Sequence, residues 1–266
     1  MSLRISTTGA GPDLALIHGW GLGAGVWNGV VEQLTATCRV HRVSLAGYDG
    51  TTPDALDFSA TAAVIAEALP TGVTLCGWSL GGMLALEAAR MRPQAIGRLV
   101  LVATSPRFLA DADWPHAQAS ALLEGFSAAL ARDTKSTLSR FVMLFNQGDG
   151  KARAIARQLT PLLNGDLPDT TTLLRGLDWL GEVDLRACLA KIQIPALVIH
   201  GDCDPLMPIA AGRHLTNALS NGGSPRMECY VGAAHAPFVA EPDAFSRHLA
   251  LFCQTPRDPD WYHGRS

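Results

Sequence analysis

Short apolar runs alternate with helical patterns through the first hundred residues of the chain. The apolar runs cover residues 14–17, 40–45, 73–76 and 99–103, and they are rich in β-branched side chains. Runs of this length predict buried strands, and helices are predicted between them at 60–69 and 82–91. Strands that alternate with helices in this way predict a parallel sheet.

The strand pattern stops between residues 107 and 183, where helices are predicted at 119–132, 134–146, 151–163 and 170–180. Strand-like runs return at 196–200 and 227–231, and a last helix is predicted at 242–252. We therefore expect an α/β core made of residues 1–106 and 184–255, interrupted by a helical insertion at 107–183. Residues 256–266 are polar, and we expect a loosely ordered tail there.

Composition narrows the class of protein. The chain has 266 residues, of which 48% are hydrophobic and 17% charged, so it can bury a sizeable core. A formal charge of −3 is too balanced for non-specific nucleic-acid binding. No run of 18 apolar residues and no basic, apolar leader occurs, so we expect a cytoplasmic protein outside the membrane.

The six cysteines are spread singly along the chain without a CxxC pair, which disfavours structural zinc. In a reducing compartment we expect them to remain thiols. Neither a metal-binding cluster nor a cofactor-binding loop is predicted, and nothing in the sequence demands self-association. We therefore expect a monomer that works without a metal or a cofactor.

One glycine-rich motif carries the most specific chemical signal. The sequence Gly-Trp-Ser-Leu-Gly at residues 77–81 follows the predicted strand 73–76 and opens a predicted helix, as a nucleophile elbow requires. Its two glycines allow neighbouring backbone to approach closely. A glycine-rich turn whose serine only caps the next helix would look the same, so Ser79 needs a base and a carboxylate further along the chain.

An acid and a base follow Ser79 in the order that this architecture demands. The loop after the strand 196–200 contains Asp202 and Asp204, and the loop after 227–231 contains His235. Catalytic groups gather at the carboxyl ends of parallel strands. We predict a catalytic Asp204, a structural Asp202 and an accessible imidazole at His235, while a turn held only by its own hydrogen bonds remains the alternative.

The end of the first predicted strand reads His-Gly-Trp-Gly at residues 18–21. A turn at this place would point backbone N–H groups toward the space above Ser79. We predict that the N–H groups of Trp20 and Leu80 form an oxyanion hole.

Two other interpretations of these segments are weaker. Residues 19–24 loosely match a dinucleotide-binding fingerprint, but no acidic residue ends the second predicted strand before Asp49. Cys76 could be a nucleophile, yet it lies within a predicted strand, where a free cysteine behaves as a small buried hydrophobe. A catalytically silent scaffold that binds a ligand is a further alternative, which the complete set of Ser79, Asp204 and His235 disfavours.

Together these motifs resemble the α/β-hydrolase superfamily across nearly the whole chain. More narrowly, residues 18–22, 77–82 and 233–238 resemble a family of serine carboxylesterases that hydrolyse the methyl ester of pimeloyl-acyl carrier protein in biotin synthesis. The loop 44–48 reads Ser-Leu-Ala-Gly-Tyr where many relatives carry Asp-Leu-Pro-Gly-Phe. The resemblance implies an α/β-hydrolase fold, with a mostly parallel sheet flanked by helices and the insertion acting as a helical lid.

The resemblance also implies a role for each site residue. Ser79 would attack the ester, His235 would carry the proton, and Asp204 would orient His235. Trp20 and Leu80 would bind the oxyanion. These residues other than Asp204 would contact the substrate as well.

The lid would recognise the rest of the substrate. Phe141 and Phe145 would flank the acyl chain, and Arg140, Arg153 and Arg157 would face the acidic acyl carrier protein. The window 132–157 holds six Lys and Arg against two Asp, a net charge of +4, which suits that role. A solvated helix surface is the alternative interpretation of this charge, and a general carboxylesterase for short-chain esters is the alternative function.

Overall fold

The computed structural model describes residues 3–219 and 226–254. In this part of the chain, seven strands form one sheet in the order β1-β3-β2-β4-β5-β6-β7. The strands are β1 Arg4–Thr8, β2 Asp13–Ile17, β3 Arg39–Ser44, β4 Val73–Trp78, β5 Ile96–Val102, β6 Ala196–Gly201 and β7 Arg226–Tyr230. Neighbouring strands run parallel except β1, which pairs antiparallel with β3.

Helices connect the strands. They are α1 Asn28–Thr35, α2 Phe58–Ala68, α3 Leu80–Met91, α4 Ser120–Leu130, α5 Thr134–Phe145, α6 Ala152–Leu159, α7 Thr170–Glu182, α8 Ile209–Ala218, α9 Pro237–Ala240 and α10 Pro242–Gln254. Three 3₁₀ turns add Ala24–Trp27, Thr160–Asn164 and Arg186–Lys191. Helix α1 packs against α10, and α2 packs against α3. In the sequence, α4 to α7 all come between β5 and β6.

The central strands are buried along their whole length. Every residue of β4, β5 and β6 is buried, which explains their predominantly apolar runs. Because β2, β4, β5 and β6 are parallel neighbours, their carboxyl ends meet at one edge of the sheet. The loops after these strands are therefore brought together there.

The structure contains all six predicted strands, with ends shifted by at most three residues, and it adds elements that the pattern did not reveal. Strand β1 was missed because four of its five residues are exposed, so it has no apolar run. Helices α1, α8 and α9 were also missed. The helix predicted at 151–163 ends at Leu159 and continues as a 3₁₀ turn, because Pro161 cannot donate the next helical hydrogen bond.

The two ends of the helical stretch meet at Arg107 and Asp184. These residues form an isolated antiparallel bridge, and their side chains form an ion pair of 2.7 Å. The division of the chain at residues 107 and 183 stays a prediction. The predicted tail at 256–266 lies outside the described residues.

Candidate active site

Ser79 occupies the sharp turn between β4 and α3 with φ +55° and ψ −122°. A non-glycine residue in such a conformation stores about 1–3 kcal/mol of strain. A Cβ atom at Gly77 would collide with the carbonyl oxygen of Gly81, and one at Gly81 would collide with that of His18. Both motif glycines are therefore required by close backbone contacts, as the sequence predicted.

Two hydrogen bonds hold the serine backbone in place. The N–H of Ser79 donates to the carbonyl oxygen of Val102 at 2.9 Å, and the Thr104 hydroxyl donates to the carbonyl oxygen of Ser79 at 2.7 Å. Val102 is the last residue of β5, and Thr104 lies two residues beyond it, so the neighbouring strand fixes the elbow.

Asp204 and His235 meet at the same sheet edge. The distance from His235 Nδ1 to Asp204 Oδ2 is 2.8 Å. The other carboxylate oxygen of Asp204 accepts the backbone N–H groups of Leu206 at 2.8 Å and Met207 at 2.9 Å. This set of bonds orients Asp204 toward Nδ1 and leaves Nε2 of His235 without a hydrogen-bond partner among the described residues.

The expectation of an accessible imidazole is wrong, because His235 is fully buried. Its ring packs against Trp78 at 5.4 Å and Phe145 at 5.7 Å between ring centroids. The small residues around His235 make room for these aromatic rings rather than for solvent.

Three further contacts fix the histidine loop, and sequence reasoning missed all of them. The Trp78 indole N–H donates to the carbonyl oxygen of His235 at 2.7 Å, and Phe145 accepts the N–H of His235 at 3.2 Å. The Asp149 carboxylate accepts the N–H of Ala234 at 2.8 Å. Trp78 could have been noticed, since a buried indole N–H needs an acceptor. Asp149 gives no local signal, because its partner is 85 residues away.

Asp202 and His200 support the two loops from outside the predicted triad. Asp202 accepts the N–H of Gly232 at 2.7 Å, in agreement with its structural interpretation. His200 Nε2 lies 2.6 Å from the carbonyl oxygen of Met207 and 3.6 Å from Asp204 Oδ2. Burial lowers the pKa of His200, while the Asp204 charge opposes that shift. A neutral His200 thus donates to the Asp204 loop.

The predicted oxyanion donors flank the elbow. A Cβ atom at Gly19 would lie 3.1 Å from Ser79 Cβ, so the turn that carries Trp20 presses against the serine. Within residues 3–219 and 226–254, the backbone N–H groups of Trp20 and Leu80 form no hydrogen bond. Their role as oxyanion donors stays a prediction.

Phe141 and Phe145 line the inner side of α5. Phe141 packs edge-on against Trp20 with a centroid distance of 4.8 Å, and Phe145 packs against His235. The Trp20 indole N–H donates to the carbonyl oxygen of Leu173 in α7 at 2.8 Å. The structure thus brings these aromatic residues to the candidate site and forms an apolar wall there. Their contact with a substrate stays a prediction.

The three predicted arginines lie away from the catalytic groups. Arg140 is exposed on α5, and Arg153 and Arg157 are exposed on α6, opposite its buried residues. None of the three forms an ion pair with another described residue. Lys151 belongs to the same basic window, but it is engaged by Glu241 at 2.6 Å.

Alternative sites find little support in the geometry. Cys76 is fully buried in β4, and burial raises the pKa of its thiol far above the usual range. The Asp49 carboxylate accepts the N–H of Ala24 at 2.9 Å and contacts Gly23, so it occupies the space beside the glycine-rich turn. The described residues contain no group of three His, Cys, Asp or Glu side chains suited to a metal ion. None of the described helices is long and apolar enough to cross a membrane.

The chain belongs to the alpha/beta hydrolase family, a model of which matches residues 14–248. It is 40% identical over 246 residues to the pimeloyl-[acyl-carrier protein] methyl ester esterase of Nitrosomonas europaea, covering 92% of this chain and 96% of the relative. It is 39% identical over 258 residues to the esterase of the same name from Chromobacterium violaceum, covering 96% and 99%. The family that the motifs resembled is therefore confirmed.

Solved structures share the fold at lower sequence identity. An esterase from Exiguobacterium antarcticum superimposes with a TM-score of 0.87 at 21% identity, covering 95% of this chain and 96% of the esterase. A bromoperoxidase from Bacillus anthracis gives a TM-score of 0.84 at 23% identity, covering 94% of each chain. These likenesses confirm the predicted α/β-hydrolase fold.

Proposed function

We propose that this chain is a serine carboxylesterase that hydrolyses the methyl ester of pimeloyl-acyl carrier protein in biotin synthesis. The observation that carries the proposal is the 2.8 Å contact between Asp204 and His235 next to the strained serine elbow. The identity of 40% to a pimeloyl-[acyl-carrier protein] methyl ester esterase supports the choice of substrate.

In the first half of the reaction, Ser79 Oγ attacks the carbonyl carbon of the methyl ester. His235 Nε2 accepts the serine proton, and Asp204 stabilises the imidazolium through Nδ1–H. The carbonyl oxygen becomes negative and accepts hydrogen bonds from the backbone N–H groups of Trp20 and Leu80. The carbon–methoxy bond then breaks, His235 protonates the leaving oxygen, and methanol departs from an acyl-enzyme.

In the second half, a water molecule attacks the acyl-enzyme while His235 takes its proton. The bond to Ser79 breaks, the serine regains its proton from His235, and the carboxylate product leaves. The Ser79 proton of the first half thus leaves with methanol and is replaced by one proton of the water, while the second water proton is released to solvent as the acid product ionises. His235 acts as base and acid in turn.

The surroundings of the triad suit this substrate. The buried rings of Trp20, Phe141 and Phe145 offer an apolar wall to a hydrocarbon chain. Arg153 and Arg157 are four residues apart on one face of α6, where their guanidinium groups can bind carboxylates of an acidic carrier protein. Arg140 on α5 belongs to the same proposed carrier-binding surface.

The test is the release of free pimeloyl-acyl carrier protein from its methyl ester, measured beside hydrolysis of p-nitrophenyl butyrate. We expect Ser79→Ala to lose both activities and Arg153→Ala/Arg157→Ala to lose only the first. The double variant Arg213→Ala/Arg247→Ala removes two exposed arginines from α8 and α10, so it controls for total charge. If the wild type cleaves only the small ester, the proposed substrate is wrong and the chain is a general carboxylesterase.

The proposed enzyme works as a cytoplasmic monomer without a cofactor. Size-exclusion chromatography with light scattering at micromolar concentration measures its mass, and the mass of one chain is the expected result. A mass of two chains would contradict this part of the proposal without affecting the chemistry.

A further inference from the structure

Two loops lie against each other beside the nucleophile. The first, residues 18–24, follows β2 and is called the oxyanion loop here; the second, residues 45–51, follows β3 and is called the bracing loop. Leu45 of the bracing loop donates its N–H to His18 Nε2 at 3.1 Å. In the opposite direction, Ala24 donates its N–H to the Asp49 carboxylate at 2.9 Å. The oxyanion loop is thus tied near both ends.

A third bond lies between these two, next to the proposed oxyanion donor. The N–H of Gly21 donates to the hydroxyl oxygen of Tyr48 at 3.2 Å. That N–H belongs to the peptide group that joins Trp20 to Gly21, so the bond fixes the rotation of the backbone on the carboxyl side of Trp20. Gly21 has φ +80°, a conformation that glycine adopts at little cost but does not enforce by itself.

The side chain of Tyr48 is rigidly held. It is buried, and its ring lies 4.5 Å from the His18 ring between centroids. Burial raises the pKa of Tyr48 to about 12, so the hydroxyl stays neutral at the pH of the reaction. The Thr51 hydroxyl donates to the carbonyl oxygen of Tyr48 at 2.7 Å and fixes its backbone. Phenylalanine at this position would fill the same space without the acceptor.

We propose that Tyr48 is a positioning residue, whose hydroxyl oxygen holds the Gly21 N–H and thereby keeps the Trp20 N–H directed at the substrate carbonyl oxygen. The inference rests on the proposed function, in which Trp20 donates to the oxyanion. It adds a side chain that the sequence marked only as a departure from relatives.

The experiment compares Tyr48→Phe with Tyr230→Phe. The Tyr230 hydroxyl lies 3.0 Å from His248 Nδ1, and Tyr230 is also largely buried. Among the described residues this hydroxyl forms no hydrogen bond with either loop, so the variant controls for loss of a buried tyrosine hydrogen bond. Four quantities are measured: kcat and KM for p-nitrophenyl butyrate, the inhibition constant of a trifluoromethyl ketone that forms an oxyanion on Ser79, and the melting temperature.

Tyr48→Phe is expected to lower kcat by about tenfold and to raise the inhibition constant of the ketone by about tenfold. The reason is that a small misplacement of a hydrogen-bond donor is costly in a preorganised site. Its KM should stay within about twofold of wild type, and Tyr230→Phe should leave all three kinetic quantities within that range. Both variants should have similar melting temperatures. The positioning role requires the losses in kcat and in ketone binding to occur together.

Unchanged kcat in Tyr48→Phe, a fall in kcat without weaker ketone binding, or equal falls in both variants would overturn the positioning role. Labelling of Ser79 by a fluorophosphonate separates this failure from failure of the proposed function. If Ser79 of the wild type is not labelled, the esterase proposal fails and the role of Tyr48 falls with it. If Ser79 is labelled and Tyr48→Phe behaves as the control does, only the positioning role is overturned.

Discussion

Most glycines of the sheet core and most glycines of the helical insertion lie in opposite surroundings. In the core, a Cβ atom at Gly77 or at Gly201 would collide with backbone carbonyl oxygens of the catalytic loops. In the insertion, a Cβ atom at Gly125 would meet nothing within 4 Å, and one at Gly181 would find its nearest neighbour at 3.5 Å. The core thus places catalytic groups by backbone contact, whereas the insertion has room to accept change.

One glycine of the insertion departs from this rule. A Cβ atom at Gly176 in α7 would lie 2.5 Å from Trp20 Cδ1. The same indole donates its N–H to Leu173 one turn earlier. The insertion is therefore fitted tightly to the core at Trp20, the residue whose backbone N–H is proposed to bind the oxyanion.

The largest expected effect separates the two carboxylates of the β6 loop. Asp204→Asn should lower kcat by about 10⁴-fold, because an amide in place of the carboxylate favours the wrong tautomer of His235. Asp202→Asn should change kcat by less than about threefold, since Asp202 accepts a backbone N–H from Gly232, which an amide oxygen can also do. Steady-state hydrolysis of p-nitrophenyl butyrate measures both. Equal losses in the two variants would contradict the assignment of Asp204.

The next effect tests the close backbone contacts of the core. Gly81→Ala should lower the free energy of unfolding by about 1–3 kcal/mol, because the added methyl group meets the carbonyl oxygens of Ile17 and His18. It should also lower kcat, since Leu80 next to it carries a proposed oxyanion donor. Urea denaturation followed by tryptophan fluorescence gives the stability. Wild-type stability in this variant would show that the core has more room than the structure indicates.

Acid should weaken the core through two buried histidines. Burial lowers the pKa of His18 and of His200 from the ordinary value of 6.5, so the unfolded chain binds protons that the native protein does not. Stability is therefore fully present above pH 6.5 and is lost as the pH falls below it, by up to about 1.4 kcal/mol per pH unit for each histidine. Unfolding free energies at pH 7.5 and 5.5 measure the loss.

His200→Gln serves as the matched variant, because it removes one of the two titrating groups while keeping an N–H donor for Met207. Its stability should depend less on pH than that of the wild type. An identical pH dependence would exclude His200 as a source of the acid sensitivity.

The smallest effect should be a gain in the insertion. Gly125→Ala lies inside α4, where nothing stands within 4 Å of the new methyl group, so stability should rise by about 0.5–1 kcal/mol. Thermal unfolding measures the gain, and esterase activity should stay unchanged. A loss of stability at this position would break the contrast between core and insertion.

The sequence predicted the parts of the fold that depend on local pattern. Buried parallel strands carry continuous apolar runs, and the order of Ser79, Asp204 and His235, which follow β4, β6 and β7, indicates the hydrolase architecture. Strand β1 was not predicted because four of its five residues are exposed, so it has no apolar run. It forms by pairing with β3. Its antiparallel register is a tertiary effect that local propensity does not encode.

The site residues that were missed act across long distances in sequence. The burial of His235 comes from the rings of Trp78 and Phe145, which belong to two different elements. The contact of Tyr48 with Gly21 joins loops 27 residues apart. Composition near His235 or Tyr48 cannot reveal such partners, so the sequence identified the reacting groups but not what holds them.

The hydrogen bond from Trp78 to His235 also bears on when the chain can become active during its synthesis. These residues are 157 positions apart, so the bond cannot form until the ribosome has added that length of chain after the serine elbow. At about 5–20 residues per second, synthesis of this stretch takes roughly 8–30 seconds. A nascent chain therefore contains its serine elbow for several seconds before it contains His235 as a base. During that time it cannot hydrolyse the esters of the cell.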